Sequence, residues 1–261
     1  MRITVKVGTS TLTHATGRMD IRRIESLCKV LSDIKNAGHE VILVSSGAIG
    51  MGVGKLNLKE RPQDMPTKQA AAAVGQCELM YTYDKLFSEY NHTVAQILLT
   101  GEDFHDGVRH SNFVNTLDRL LALKALPVIN ENDTVSTSEI AVGDNDTLSA
   151  LVAVSLRSDL LVVLTDIDGL YTADPRKDSG AKLIPLVEEI TEDMLRSAGG
   201  GGTALSTGGM ATKLAAAKIA MDAGTDMIIV NGARPEILYD VLEGRPAGTR
   251  FQGRKKLEEN H

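Results

Sequence analysis

Thr207-Gly-Gly-Met-Ala-Thr-Lys213 joins two glycines, a hydroxyl on either side and a closing lysine, just where an Ala-rich helical pattern (Leu214 to Ala223) begins. Glycine lets backbone N–H groups come close to an anion, a helix N-terminus favours negative charge, and lysine adds a mobile point charge; the combination suits phosphate. It is not a P-loop, which needs Gly-Lys-Ser/Thr in direct succession; here Thr212 precedes Lys213 and no Ser or Thr follows. The plain structural alternative is a flexible helix entry.

Other segments carry compatible chemistry. Lys6 sits inside a strand pattern that ends at Gly8-Thr-Ser10, where it is either a solvent-facing edge lysine or an amine reaching over a glycine turn. Ser45-Ser46-Gly47-Ala48 follows another strand and reads as an N-cap or a polar nest. Asn130-Glu-Asn-Asp133 places four polar acceptors just past a strand, more than a turn requires. Val142-Gly-Asp-Asn-Asp146 leads into a helix; its acidic and amide groups serve as a cap, or they hold an ammonium, order lysines or meet Mg²⁺ through water. Thr165-Asp166-Ile-Asp168-Gly169-Leu-Tyr171 runs on to Asp174-Pro-Arg176, with Tyr171 suited to flank an adenine.

The elements that must position these groups alternate. Strands are expected over Ile3–Val7, Val41–Val44, Val94–Leu99, Leu126–Asn130, Leu160–Leu164 and Met227–Val230. Helices are expected after Asp20 (its N-cap, with Gly38 as the stop), and over Thr67–Tyr90, Phe113–Leu123, Thr147–Leu156, Met210–Ala223 and Glu236–Leu242. Short, continuously apolar strands alternating with amphipathic helices predict a parallel sheet covered on both faces, with ligands beyond the carboxyl ends of its strands. Gly8-Thr-Ser10, Ser45-Ser-Gly47 and Thr165-Asp166 all fall there.

Composition narrows the function. The 261 residues carry 28 Lys and Arg against 34 Asp and Glu, and aromatics are 3% with no Trp. That balance opposes a nucleic-acid binder, and few platforms exist for stacking bases. Two cysteines, Cys28 and Cys77, and scattered histidines argue against structural zinc or a disulfide framework. No apolar run is long enough to span a bilayer, and Met1 leads directly into a strand pattern; a cytoplasmic protein without a membrane role is expected.

Taken in order, Val5–Ser10, Val44–Ile49, Val128–Asp133, Val142–Asp146, Leu164–Asp166 with Gly169–Arg176, and Thr207–Lys213 resemble the motifs of the amino acid kinase family, and among its members those that phosphorylate glutamate. The resemblance runs from about Arg2 to Phe251. It implies a three-layer αβα sandwich with a mainly parallel, roughly eight-stranded central sheet, the amino acid kinase fold. It places one domain over residues 1–251, its N-terminal half holding the amino acid and its C-terminal half ATP, with a charged tail at 252–261. The implied activity is ATP-dependent phosphorylation of the γ-carboxylate of L-glutamate to L-glutamyl 5-phosphate, the first step of proline biosynthesis. Lys6, Lys213 and Asp146 are then catalytic, the lysines touching the transferring phosphoryl group and Asp146 ordering them. Ser46, Asp133 and Asn145 hold glutamate. ATP is held by Lys6, Thr165, Asp166 and the run Thr207, Gly208, Gly209, Met210, Ala211, Thr212 and Lys213, with Mg²⁺ bound mainly through its phosphates. Proline inhibition, a homo-oligomer (dimer or tetramer) and hand-off to glutamyl-phosphate reductase come with the same resemblance.

One departure is expected: the small C-terminal domain of RNA-binding-like fold that many members append is absent, since the chain ends shortly after Phe251. The rivals are a relative acting on acetylglutamate, aspartate, carbamate or a nucleotide monophosphate, and a non-catalytic amino-acid sensor. Asp133 and Asn145 suit a free α-ammonium, which acetylglutamate lacks, and a sensor has no need of both lysines and Asp146.

Overall fold

A computed structural model describes residues 1–14, 18–136, 145–199 and 209–254. Its strands are β1 (Arg2–Val7), β2 (Glu40–Ser45), β3 (Val94–Leu99), β4 (Leu126–Glu131), β5 (Leu160–Thr165), β6 (Leu186–Val187), β7 (Asp226–Asn231) and β8 (Thr249–Phe251). Its helices are α1 (Thr9–Leu12), α2 (Ile21–Asn36), α3 (Ala48–Lys55), α4 (Met65–Ser88), α5 (Glu102–His105), α6 (Gly107–Ala122), α7 (Asn145–Ser155), α8 (Glu192–Gly199), α9 (Met210–Asp222) and α10 (Ile237–Leu242). The strands form one eight-stranded sheet in the order β3-β4-β2-β1-β5-β7-β8-β6, parallel throughout except for β7 against β8.

Alternation along the strands explains the three layers. In β1, Ile3, Val5 and Val7 enter a core shared with Leu27 and Leu31 of α2, Leu79, Tyr83 and Phe87 of α4, and Leu238 of α10. Side chains of opposite parity, such as Ile42 and Val44 of β2 and Leu161 and Val163 of β5, pack under α6, α7 and α9. Thr4 and Lys6 have that second parity. The order of winding reverses at the parallel β1–β5 pair: from β1 the chain goes on to β2 on one side, and from β5 to β7 on the other. That topological switch opens a crevice beyond the carboxyl ends of β1 and β5.

Several expected boundaries move, each for a local reason. The helix expected over Phe113–Leu123 starts at Gly107, because the Asp106 carboxylate caps the amides of Val108 and Arg109, both at 2.9 Å. The long helix starts at Met65, with Asp64 accepting from Thr67 N at 2.9 Å. The strand expected over Leu126–Asn130 takes in Glu131 as well, and both polar residues are buried. The helix expected over Met210–Ala223 does start at Met210, which puts Lys213 in the first turn of α9. The two- and three-residue strands β6 and β8 and the short α1, α5 and α8 carry too little periodicity to read from the sequence.

The glycine-rich stretch Gly50–Gly54 is absorbed by packing. A Cβ on Gly52 would overlap the Ala71 carbonyl, and one on Gly75 would overlap the Ala48 carbonyl. The α3 and α4 backbones therefore meet directly, which fastens the Ser46–Gly47 turn to α4. Gly47 itself adopts φ of 109°, a left-handed conformation that suits glycine. Gly75→Ala should lower stability by about 1–3 kcal/mol by overpacking this crossing. A denaturant midpoint equal to that of the unsubstituted chain would contradict the close approach.

Candidate active site

Four strand ends and two helix starts converge at the switch point. From β1 comes Lys6, just before Gly8. The sheet's twofold alternation turns it away from the α2–α4 core and toward α7. From α7 comes Asp146, in the first turn, where a carboxylate interacts favourably with the helix dipole. From α9 comes Lys213. The α7–α9 contact is built from Ala150, Ala153, Ala216, Ala217 and Ala220, all buried, so the helices approach closely enough for their first turns to meet.

The result is a buried Lys–Asp–Lys bridge. Lys6 Nζ lies 2.6 Å from Asp146 Oδ1, and Lys213 Nζ lies 3.1 Å from Asp146 Oδ2. Lys6 is 7% exposed, Lys213 4% and Asp146 0%. Burial by itself would raise the Asp146 carboxyl, but the two ammonium charges and their hydrogen bonds outweigh it and hold the group below the ordinary carboxylate range. The Thr212 hydroxyl reaches both Asp146 Oδ2 at 3.0 Å and the Gly209 carbonyl at 2.7 Å, tying the α9 entry to the same carboxylate. Two ammoniums converge on one carboxylate at the strand ends, an arrangement suited to an anion.

On the β2–β4 side lies a network of neutral polar groups. Asn145 Nδ2 donates to Ser46 Oγ at 2.8 Å and to Asn130 Oδ1 at 2.9 Å. Asn130 Nδ2 donates in turn to Gln76 Oε1 at 3.0 Å, and Gln76 Nε2 to Gln96 Oε1 at 3.3 Å. Ser45 Oγ donates to the Ser46 carbonyl at 3.0 Å and lies 2.8 Å from the buried Tyr83 hydroxyl, which pins the turn from below. Asp133 stands half-buried in the loop after β4. Burial first, and then the charge of Glu131, pushes its pKa up to about 6. Glu131 is itself held by a 2.9 Å hydrogen bond from Ser136 Oγ.

On the β5–β7 side, Thr165 ends β5 and its hydroxyl donates to Asp166 Oδ1 at 3.2 Å. Asp168 accepts from Asn231 Nδ2 at 2.8 Å and from the Tyr171 hydroxyl at 3.0 Å. Asp168, Asn231 and Tyr239 line an open pocket of about 540 Å³ together with Arg234 and Arg245. Gly209, Met210, Ala211 and Thr212 form the entry to α9. Thr207 and Gly208 of the phosphate-suited run, and Val142 to Asp144 of the acidic run, lie outside the described residues.

The structure thus brings Lys6, Asp146, Lys213 and Thr212 into one cluster, and Ser46 and Asn145 into a second that shares helix α7 with the first. Thr165 and Asp166 stand at the β5 end. Sequence reading overlooked the contributions of Gln76 and Asn130. Asn130 was discernible as part of an over-polar strand end, whereas Gln76 lies in an Ala-rich helix with nothing in its neighbourhood to single it out.

Residues 1–231 match the model of the amino acid kinase family. The glutamate 5-kinase of Clostridium tetani is 56% identical over 253 residues, covering 97% of this chain and 95% of that protein. The glutamate 5-kinase of Caldanaerobacter subterraneus subsp. tengcongensis is 52% identical over 251 residues, 96% of this chain but 68% of that longer relative. Among solved structures, a carbamate kinase from Giardia lamblia bound to AMP-PNP superposes with a TM-score of 0.68 at 19% identity, covering 97% of this chain and 98% of that one. An isopentenyl phosphate kinase substrate complex gives 0.67 at 20% identity, with 95% and 98% covered. At such identities the likeness is one of fold.

The raised pKa of Asp133 has a consequence for stability. The folded chain favours its neutral form, so this contribution is full below the ordinary 3.8 and is lost as pH rises through about 6. Asp133→Asn should therefore melt at a higher temperature than the unsubstituted chain above pH 6, with the advantage vanishing near pH 4. Equal melting temperatures across that range would show that the carboxylate is not under this strain.

Proposed function

The chain belongs to the amino acid kinase family and is a kinase, and we propose that it transfers the γ-phosphoryl group of ATP to the γ-carboxylate of L-glutamate, giving L-glutamyl 5-phosphate, the first step of proline biosynthesis. The observation that carries this reading is the buried Lys6–Asp146–Lys213 bridge at the switch point, in a chain 50–56% identical to glutamate 5-kinases over nearly its whole length.

The acceptor carboxylate is already ionised at neutral pH and needs no general base. The obstacle is that an anion must attack an anion, so alignment and charge stabilisation carry the catalysis. Lys6 and Lys213 approach the reacting centre from the N-terminal and C-terminal parts of the sheet and meet the oxygens on which charge builds. Asp146 is not a base: held below the ordinary range by both ammoniums, it stays ionised and fixes where each amine points. Ser46, Asn145 and Asp133 hold glutamate, with acceptor oxygens toward its α-ammonium. Thr165, Asp166 and the Thr207–Lys213 run, including Thr207 and Gly208, hold ATP.

Mg²⁺ accompanies the nucleotide in this reading. Among the described residues no three His, Cys, Asp or Glu side chains converge as a metal cage, whereas two neighbouring lysines fit a polyphosphate that brings its own cation. When bound, the ion would neutralise phosphate charge.

Proline inhibition, a dimeric or tetrameric assembly, a cytoplasmic location and hand-off to glutamyl-phosphate reductase belong to the same proposal and draw their support from the kinship with glutamate 5-kinases. No helix among the described residues is long and apolar enough to cross a membrane.

Incubation with ATP, Mg²⁺, L-glutamate and hydroxylamine, which traps acyl phosphates, should yield the γ-hydroxamate from glutamate and not from acetylglutamate or aspartate. No hydroxamate from glutamate at any Mg²⁺ concentration would overturn the assignment. Lys213→Ala leaves Asp146 paired with Lys6, so it should fold normally yet lose about 100-fold or more in kcat, the effect of deleting one preorganised donor. Asp133→Ala should raise the KM for glutamate while leaving that for ATP unchanged.

A further inference from the structure

We propose that Gln76 is a positioning residue: through Asn130 it locks Asn145 with its amide oxygen toward the acceptor site, and so selects an amino acid carrying a free α-ammonium group. This rests on the kinase reading above and deepens it by assigning the hydrogen-bond polarity of the acceptor site.

The polarity follows from one backbone group. Glu131 N donates to Asn130 Oδ1 at 2.9 Å, and a backbone N–H can only donate. The Asn130 oxygen is therefore the end facing Glu131 and Asn145. Asn145 must then present its nitrogen to that oxygen, as it does at 2.9 Å. The second proton of the same nitrogen goes to Ser46 Oγ at 2.8 Å. With both amide protons committed, the Asn145 oxygen is the end left to accept from a substrate. Ser46, which accepts from Asn145, keeps its own proton to donate. The site is thus built to give a proton at Ser46, toward a carboxylate, and to take protons at Asn145 and Asp133, from an ammonium.

Gln76 closes the chain at its other end. With the Asn130 oxygen committed, Asn130 Nδ2 faces the interior and needs an acceptor, and Gln76 Oε1 supplies it at 3.0 Å. Gln76 is buried, and its own nitrogen donates to Gln96 Oε1 in β3 at 3.3 Å. Without an acceptor at position 76, Asn130 Nδ2 becomes a buried unpaired donor, a cost that offsets part of what the Glu131 N–H contributes to this orientation and so weakens the lock on the amide. Turning it over puts Nδ2 against Asn145 Nδ2, and Asn145 must then turn its own nitrogen toward the substrate. Gln76 lies two helical turns from Tyr83, the residue beneath Ser45, so one face of α4 supports both arms of the acceptor site.

The test compares kcat/KM for L-glutamate with that for glutarate, which lacks the α-ammonium, in the full chain. Gln76→Met keeps the side-chain volume and removes the acceptor. It should lower kcat/KM for glutamate about 10- to 100-fold, the loss of a hydrogen bond to a charged group. KM for ATP should stay within about twofold and glutarate use should be unchanged, so the selectivity ratio falls. Gln76→Glu keeps an acceptor for Asn130 and should retain the selectivity ratio of the unsubstituted enzyme. A Met variant with unaltered selectivity, equal losses on both acceptors, or a parallel rise in KM for ATP would overturn the proposal. If the Met variant does not fold, the Glu variant decides: retained selectivity supports the proposal and collapsed selectivity overturns it. An unsubstituted enzyme that phosphorylates neither acceptor would instead refute the kinase reading itself.

Discussion

Two ammonium groups buried side by side would drive each other apart; the Asp146 carboxylate between them is what allows this architecture to exist. A buried charge is tolerated only when paired, and here one carboxylate, with no exposed surface, serves both lysines. The surrounding elements make that possible. A parallel sheet ends Lys6 and the start of α7 at the same edge, the β1–β5 switch opens space beyond them, and a seam of alanines lets α9 approach α7 until Lys213 meets the other carboxylate oxygen.

The proposed acceptor side works by a different principle. Its central groups are neutral amides and hydroxyls, and their directions are set by exclusion: once one backbone N–H claims the Asn130 oxygen, each following amide has a single arrangement that satisfies its neighbours. The support is remote from the site. Helix α4 bears Gln76 and Tyr83 on one face and, through Gly75, lies against α3, whose first residues continue from the Ser46 turn. Asp133 adds the one strained element, a carboxylate that burial and Glu131 make reluctant to ionise. A carboxylate kept under such tension costs stability, and a cation placed beside it would relieve that cost.

Much of this was legible in the chain before folding. Short apolar runs alternating with amphipathic stretches specified strands β1, β2, β3, β4, β5 and β7 to within a residue or two; in β2 and β5 burial on both faces demands continuous Val, Ile and Leu. Asp20 as a cap was legible for the same local reason. The α6 and α4 starts were not, since Asp106 and Asp64 sit among other polar residues and only the folded backbone shows which carboxylate reaches the amides. Lys6 had two readings from sequence, edge lysine or buried amine, and it is the central position of β1 in the sheet that removes the first.

By itself, then, the sequence determined the class of fold, the glycine-lined and lysine-bearing segments, and the family resemblance, since all of these depend on local periodicity and on residue types within a few positions of one another. The tertiary structure alone decided that Lys6, Asp146 and Lys213 form a single bridge. It also decided that Gln76, an ordinary-looking residue of an Ala-rich helix, joins Asn130 in one amide chain. The physical reason is that ion pairs and hydrogen bonds act over about three ångströms, and only the packing of helices onto the sheet brings groups so far apart in the chain within that reach.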